Sequence, residues 1–159
     1  MENPSQSERS SRHYVLTTSP ENYVVSQTLN FSMQGLKNKH GKKAALVKPG
    51  DTFIYYLIGL KVFAGIVTVN SNVFTDDSPV WISLTDETDR YCHRFHTEPD
   101  VVLKQAPWLE VSSIVSHLQF VRKWPAKHYH LAFQGQIREV PRADYLLIRD
   151  ELAEMQAIP

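Results

Sequence analysis

Residues 52–69, TFIYYLIGLKVFAGIVTV, constrain this chain more than any other stretch. Two apolar runs flank a short link around Gly59. A parallel crossover needs a dozen or more residues, so these runs must pair as an antiparallel hairpin. The first run is apolar almost without interruption, the pattern of a largely buried strand. The Pro-Gly pair in KPGD, residues 48–51, marks the turn that leads into it.

Around this hairpin the pattern predicts further short elements. Residues 14–17 read as a first strand, and residues 19–29 as a helix. Ser19 suits the N-cap, Pro20 the first helical position and Glu21 the first turn. Residues 30–46 read as a loop with a basic centre that ends in a helical turn. VWISL (80–84) and RYCHRFHT (90–97) read as strands, with the acidic TDETD turn (85–89) between them. Helical spacing of Val111, Ile114, Val115 and Leu118 predicts a short helix over 108–120. HYHLAFQ (128–134) alternates, which predicts a strand with His128, His130 and Ala132 on one face. Pro141 opens a C-terminal helix with Tyr145, Ile148 and Leu152 facing inward. Strands joined mostly by hairpins, with helices after the first strand and at the end, predict an α+β fold that closes as a curved sheet or small barrel.

The 159 residues suffice for one domain with a core, placed at 13–155 behind a polar, serine-rich lead-in (1–12) expected to be disordered. Lysines and arginines number 17, as do aspartates and glutamates, so net charge predicts no strong non-specific polyanion binding. Any basic site must be local. The single cysteine, Cys92, suits a reducing cytoplasm, and no apolar run is long enough to span a membrane.

Four groups of residues carry the candidate chemistry. Thr17, Thr18, Ser19 and Asn22 gather small polar groups where a strand meets a helix N-terminus. Such a junction can bind a ligand through exposed N–H groups or simply cap the helix. Lys39, His40, Lys42 and Lys43 belong to the KNKHGKK loop, suited either to solvent or to phosphates. Phe31, Tyr55, Tyr56 and Trp124 are either core or the walls of a stacking pocket. His128 and His130 have the spacing of zinc ligands, but Cys92, His93 and His96 complete no clear four-ligand set, and no metal is expected. No nucleophile motif surrounds Cys92, and no phosphate- or dinucleotide-binding glycine loop is present, so catalysis and cofactors are not expected.

Taken in order, YVLTTSPENY, QGLKNKHGKKAALVKPGDTFIYY, VFAGIVTV, DRYCHRF and LQFV…HYHLAFQGQIREVPRADYLLI resemble an EVE domain. That family is a branch of the PUA-like superfamily, which also holds the YTH and ASCH domains. The resemblance covers residues 14–152. It implies a small, mixed, curved β-barrel and a binding role rather than catalysis. The ligand it implies is a modified base in DNA or RNA, single-stranded or flipped, often beside a restriction or RNA-modification system. It places the pocket where the first strand meets the first helix. Its floor would be Thr17, Thr18, Ser19 and Asn22. Tyr55 or Tyr56, and His128 or His130, would contribute from later segments, and Lys39, His40, Lys42 and Lys43 would hold phosphates. Relatives often carry Trp-Gly-Val where this chain has Gln34-Gly35-Leu36. Phe31, Ser32 and Met33 lie just upstream, and Phe31 or Met33 would supply the missing wall. The competing reading is a protein that binds or transforms a small anionic metabolite.

Overall fold

The computed structural model describes residues 9–83 and 90–158. Their order is β1 (His13–Thr18), α1 (Pro20–Thr28), β2 (Met33–Leu36), α2 (Gly41–Leu46), β3 (Thr52–Leu57), β4 (Val62–Val69), β5 (Phe74–Thr75), β6 (His93–Val102), β7 (Leu109–Glu110), β8 (Ile137–Val140) and α3 (Arg142–Ala157). The strands form one sheet in the order β2-β6-β4-β3-β1-β8, with β5 on β6 and β7 on β4. β1 runs parallel to β3; every other pairing is antiparallel. The fold is α+β, a mixed and curled half-barrel with flanking helices, as the sequence predicts.

Alternation along β1 and β3 sends side chains to two cores. Tyr14, Leu16, Phe53, Tyr55 and Leu57 join Tyr23, Phe31 and Phe95 on one face. Val15, Ile54 and Tyr56 join Phe63, Phe133, Ile148 and Leu152 on the other, beneath α3. Tyr23 pins the first core, its hydroxyl donating to the Leu103 carbonyl at 2.7 Å and lying 3.1 Å from that of Ala64. Burial pushes its ionisation far above the ordinary tyrosine range.

The turn at residues 48–51 closes around Asp51. Its fully buried carboxylate accepts from the backbone N–H groups of Lys48 and Arg12, and from both terminal nitrogens of Arg9 at 2.9 and 3.1 Å. Asp144, at the start of α3, does the same for the preceding loop, accepting from the N–H groups of Gln119 and Phe120. These two carboxylates explain the Lys-Pro-Gly-Asp and Arg-Ala-Asp-Tyr stretches as backbone clamps.

Several elements differ from the pattern reading. Residues 33–36, expected as part of a loop, form β2 on β6, where Gln34 and Leu36 are buried. Residues 128–134 are not a strand: Ala126–Phe133 forms tight helical turns kinked at His128. The free side of β1 is taken instead by β8, a four-residue strand that the alternation upstream obscured. The helix expected over 108–120 is β7 followed by two short 3-10 turns. Val111, Ile114 and Leu118 are nevertheless buried there, so the apolar spacing is real while Ser112, Ser113 and the branched residues disfavour a regular helix. Residues 80–83 form no strand, and the TDETD turn and most of the N-terminal lead-in lie outside the described residues. Arg9 and Arg12, within that lead-in, are tied to Asp51.

Candidate functional site

Because β1 and β3 are parallel, both end at the same edge of the sheet. Thr17 pairs with Tyr56 and Thr18 with Leu57 in the last two positions of the ladder. Beyond them β1 runs into α1 and β3 into the hairpin of residues 58–61. A cavity of about 610 Å³ opens at this edge. That volume suits one nucleoside-sized ligand.

The floor comes from the strand–helix junction. Ser19 caps α1, its Oγ accepting the Asn22 N–H at 3.1 Å, so its own hydroxyl proton is left for a ligand. Thr17 donates its hydroxyl to the Phe133 carbonyl at 3.1 Å and keeps acceptor capacity. The Thr18 hydroxyl has no hydrogen-bond partner among the described residues, although the side chain lines the cavity. Asn22 is differently engaged. Its Oδ1 accepts the Ile82 N–H at 2.9 Å, and its Nδ2 donates to the Ile82 carbonyl at 2.7 Å. The same nitrogen donates to the Tyr91 hydroxyl at 3.3 Å.

The walls are apolar and aromatic. Phe133 stacks on Tyr56 with ring centroids 4.0 Å apart and planes within 9°. Burial pushes the Tyr56 hydroxyl up to about 12, so it stays a neutral donor at any working pH. Ile82 and Tyr91, held by Asn22, line the cavity as well, and so does Ile58. Lys37, Lys39, His40 and Lys61 lie around the mouth, with His130 near Phe133. No aspartate or glutamate is among the described lining residues. The Lys37 ammonium sits over the Tyr91 ring, 5.8 Å from its centroid.

Eight of the sequence-predicted residues therefore meet at one cavity: Thr17, Thr18, Ser19, Asn22, Lys39, His40, Tyr56 and His130. Others do not line it. Phe31 is buried against Tyr23 and Tyr55 in the first core. Tyr55 is fully buried there, on the face of β3 opposite to Tyr56, and donates to Gln34 Oε1 at 2.7 Å. Gln34 occupies no cage wall; its amide sits in the core, where it also takes the Ser26 hydroxyl at 3.3 Å and donates to the Gly35 carbonyl. Trp81 donates to that same serine at 3.0 Å. Met33 and Ser32 lie at the β2 end, outside the cavity. His128 sits at the kink, its ring 6.0 Å from that of His130 and off the cavity lining. Lys42 is exposed on α2, while the Lys43 ammonium donates to the Ile137 carbonyl at 3.2 Å. Among the described residues, no three histidine, cysteine, aspartate or glutamate side chains gather as metal ligands would.

Sequence reasoning missed Lys61, Ile58, Ile82, Tyr91 and Phe133, while Lys37 opens the basic KNKHGKK stretch it had singled out. Ile58 and Lys61 carried a usable signal, since they flank the hairpin glycine next to a strand already assigned to the pocket. Ile82 and Tyr91 gave none: they come from an irregular segment held to α1 by the Asn22 amide and by the Trp81–Ser26 hydrogen bond.

No family model matches the chain. It is 25% identical over 147 residues to a UPF0310 protein of Pyrococcus horikoshii, spanning 86% of this chain and 95% of that one. Among solved structures, it is similar to the Pho92 YTH domain in complex with m6A, with a TM-score of 0.64 and 17% identity over 89% of this chain and 86% of that one. It is also similar to the YTH domain of Zygosaccharomyces rouxii MRB1 in complex with N6-methyladenosine RNA, with a TM-score of 0.59, 17% identity and coverage of 92% and 86%. The sheet order and this likeness together establish a PUA-like fold, of the kind that YTH domains carry.

Proposed function

We propose that this chain is a non-catalytic reader of a modified nucleobase, as its EVE resemblance implies. The observation that carries the reading is the cavity at the ends of β1 and β3: hydroxyls on its floor, aromatic and aliphatic walls, and cations at its mouth. A base has the matching parts, namely a polar edge, two apolar faces and a flanking phosphate on each side. The YTH domains that share the fold are held in complexes with N6-methyladenosine RNA or m6A, which supports the same ligand class here.

In this reading Thr18 and Ser19 donate to the base edge, and Thr17 supplies an acceptor. Tyr91, Phe133 and Ile82 contact the ring, worth roughly 1–3 kcal/mol for a stacked base. Lys39 and its neighbours at the mouth hold phosphates, which add affinity without reading sequence. A methyl group fills apolar space beside Ile82, worth about 0.8 kcal/mol per methylene-sized group. Ser19 and Thr17 each contact a backbone group instead of a base-activating partner, which favours binding over nucleophilic chemistry. Restriction or RNA-modification machinery in the cytoplasm is the proposed setting.

The test is binding of matched single-stranded DNA and RNA oligonucleotides carrying one modified or unmodified base, on wild type and on Thr18→Val. Preference for a modified base, weakened in Thr18→Val, is the expected result. Equal affinity for all of them leaves a backbone binder only. No binding, with competition by small phosphorylated or carboxylated metabolites, moves the assignment to the metabolite reading.

A further inference from the structure

The hairpin between β3 and β4 carries its apolar side chains outward. Ile58 is 53% exposed and Leu60 47% exposed, at a turn where small polar residues are usual. Ile82, another residue lining the cavity, is 59% exposed. Ile58 and Ile82 also line the cavity, so apolar surface runs from inside the mouth out onto the tip. Leu60 extends that surface without lining the cavity.

The tip is also anchored on both sides by backbone hydrogen bonds. The Ile58 N–H donates to the Thr18 carbonyl at 2.9 Å, which fixes one side to the end of β1. The Lys61 carbonyl accepts the Val111 N–H at 3.2 Å, which fixes the other side. The Lys61 N–H closes the turn on the Leu57 carbonyl at 3.1 Å. Gly59 supplies a left-handed backbone at φ 84°, and Lys61 adopts φ 57° despite its side chain. A non-glycine residue at positive φ is uncommon and persists where the surroundings enforce it.

We propose that this tip is a wedge that enters the base stack of a duplex and fills the gap left when one base is extruded into the cavity. The proposal rests on the base-reading function above and adds that double-stranded nucleic acid is a substrate. Aliphatic wedges next to a cation are how proteins unstack a base step while holding its phosphates. Leu60 stands as the inserted residue, Ile58 lies between the gap and the pocket, and Lys61 sits where the displaced backbone must turn. Extrusion from a duplex costs a few kcal/mol, and an inserted leucine recovers part of that by restoring contact to the orphaned neighbours.

The test uses Leu60→Ser and Leu60→Phe. Leu60 is exposed and lies outside the cavity lining, so neither change disturbs the fold or the pocket. Each protein is titrated with single-stranded and duplex DNA and RNA of one sequence, holding N6-methyladenine or 5-hydroxymethylcytosine beside a 2-aminopurine. The expected result is that Leu60→Ser loses about tenfold in duplex affinity, set by the unstacking cost, together with the 2-aminopurine fluorescence rise. Leu60→Phe retains both, and single-strand affinity is unchanged in either variant. Duplex affinity and fluorescence unaffected by Leu60→Ser, with single-strand preference intact, overturn the wedge alone. Equal losses on single strands and duplexes also overturn it, because Leu60 would then act as part of the general binding surface. Absence of modified-base preference on single strands in wild type fails the underlying reading instead.

Discussion

The side-chain amide of Asn22 pairs with both backbone groups of Ile82, accepting its N–H and donating to its carbonyl. A buried asparagine on α1 thus serves as a strand-like partner for an irregular segment that arrives from far along the chain. It lines the cavity and also holds one of its walls. Replacing Asn22 with alanine leaves the two Ile82 groups without their partner, at a cost of about 1–3 kcal/mol. The expected outcome is a lower melting temperature and a loss of base preference, measured by thermal unfolding and fluorescence anisotropy on the same samples.

Phe31 makes a contrasting case. Its ring packs on Tyr23 and Tyr55 in the core, away from the cavity. Phe31→Ala should cost about 3–5 kcal/mol of stability, the range for emptying a buried aromatic site. Binding preference should survive at temperatures where the variant is folded. Chemical denaturation gives the first quantity and titration in the cold the second.

The lysines separate by position. Lys39 lines the mouth, whereas Lys42 is exposed on α2 outside it. Lys39→Ala should weaken binding to every oligonucleotide and lower the salt slope by about one. Lys42→Ala should change both less. Affinities measured across a salt series distinguish the two.

His13 predicts a pH dependence of stability. Its Nδ1 lies 2.7 Å from the Thr52 hydroxyl oxygen, its ring stacks on Tyr145 at 3.7 Å, and its Nε2 is buried with no hydrogen-bond partner among the described residues. Burial lowers its pKa from the ordinary 6.5; the nearby Arg142 charge lowers it further, and Asp51 opposes. A depressed histidine is neutral in the fold and takes up its proton preferentially when unfolded. Its contribution is therefore fully present above the ordinary value and is lost as pH falls below about 6.5 toward the lower folded pKa. Unfolding free energies of wild type and His13→Gln should converge as pH drops from 7.5 to 5, both endpoints being about a unit or more either side of 6.5.

Much of the fold was legible because burial follows strict local periods. The hairpin of β3 and β4, the capped α1 and the helix after Pro141 each carry their own signal within ten or so residues. The errors fell where two patterns compete. His128, His130 and Ala132 alternate as a strand would, yet β1 has one free edge, and the four residues of β8 take it. Half of the site was legible for a related reason. Thr17, Thr18, Ser19 and Tyr56 sit at the ends of regular elements, so their location follows from the fold. Asn22 was legible in place but not in role, because its partner Ile82 lies 60 residues away. The open choice between Tyr55 and Tyr56 falls to Tyr56, because β3 turns Tyr56 toward the cavity and Tyr55 into the opposite core, where it meets Gln34 from β2.

The central claim is that the cavity at the ends of β1 and β3 receives one modified base. The most direct measurement is fluorescence anisotropy with single-stranded DNA and RNA that differ only in one base: adenine or N6-methyladenine, cytosine, 5-methylcytosine or 5-hydroxymethylcytosine. Wild type is compared with Tyr91→Ala, which removes an aromatic wall. The account predicts a preference for one modified base of between about fourfold and tenfold, the range for one buried methyl-sized group, with that preference lost in Tyr91→Ala. Equal affinity for every base in wild type, unchanged by Tyr91→Ala, would contradict it.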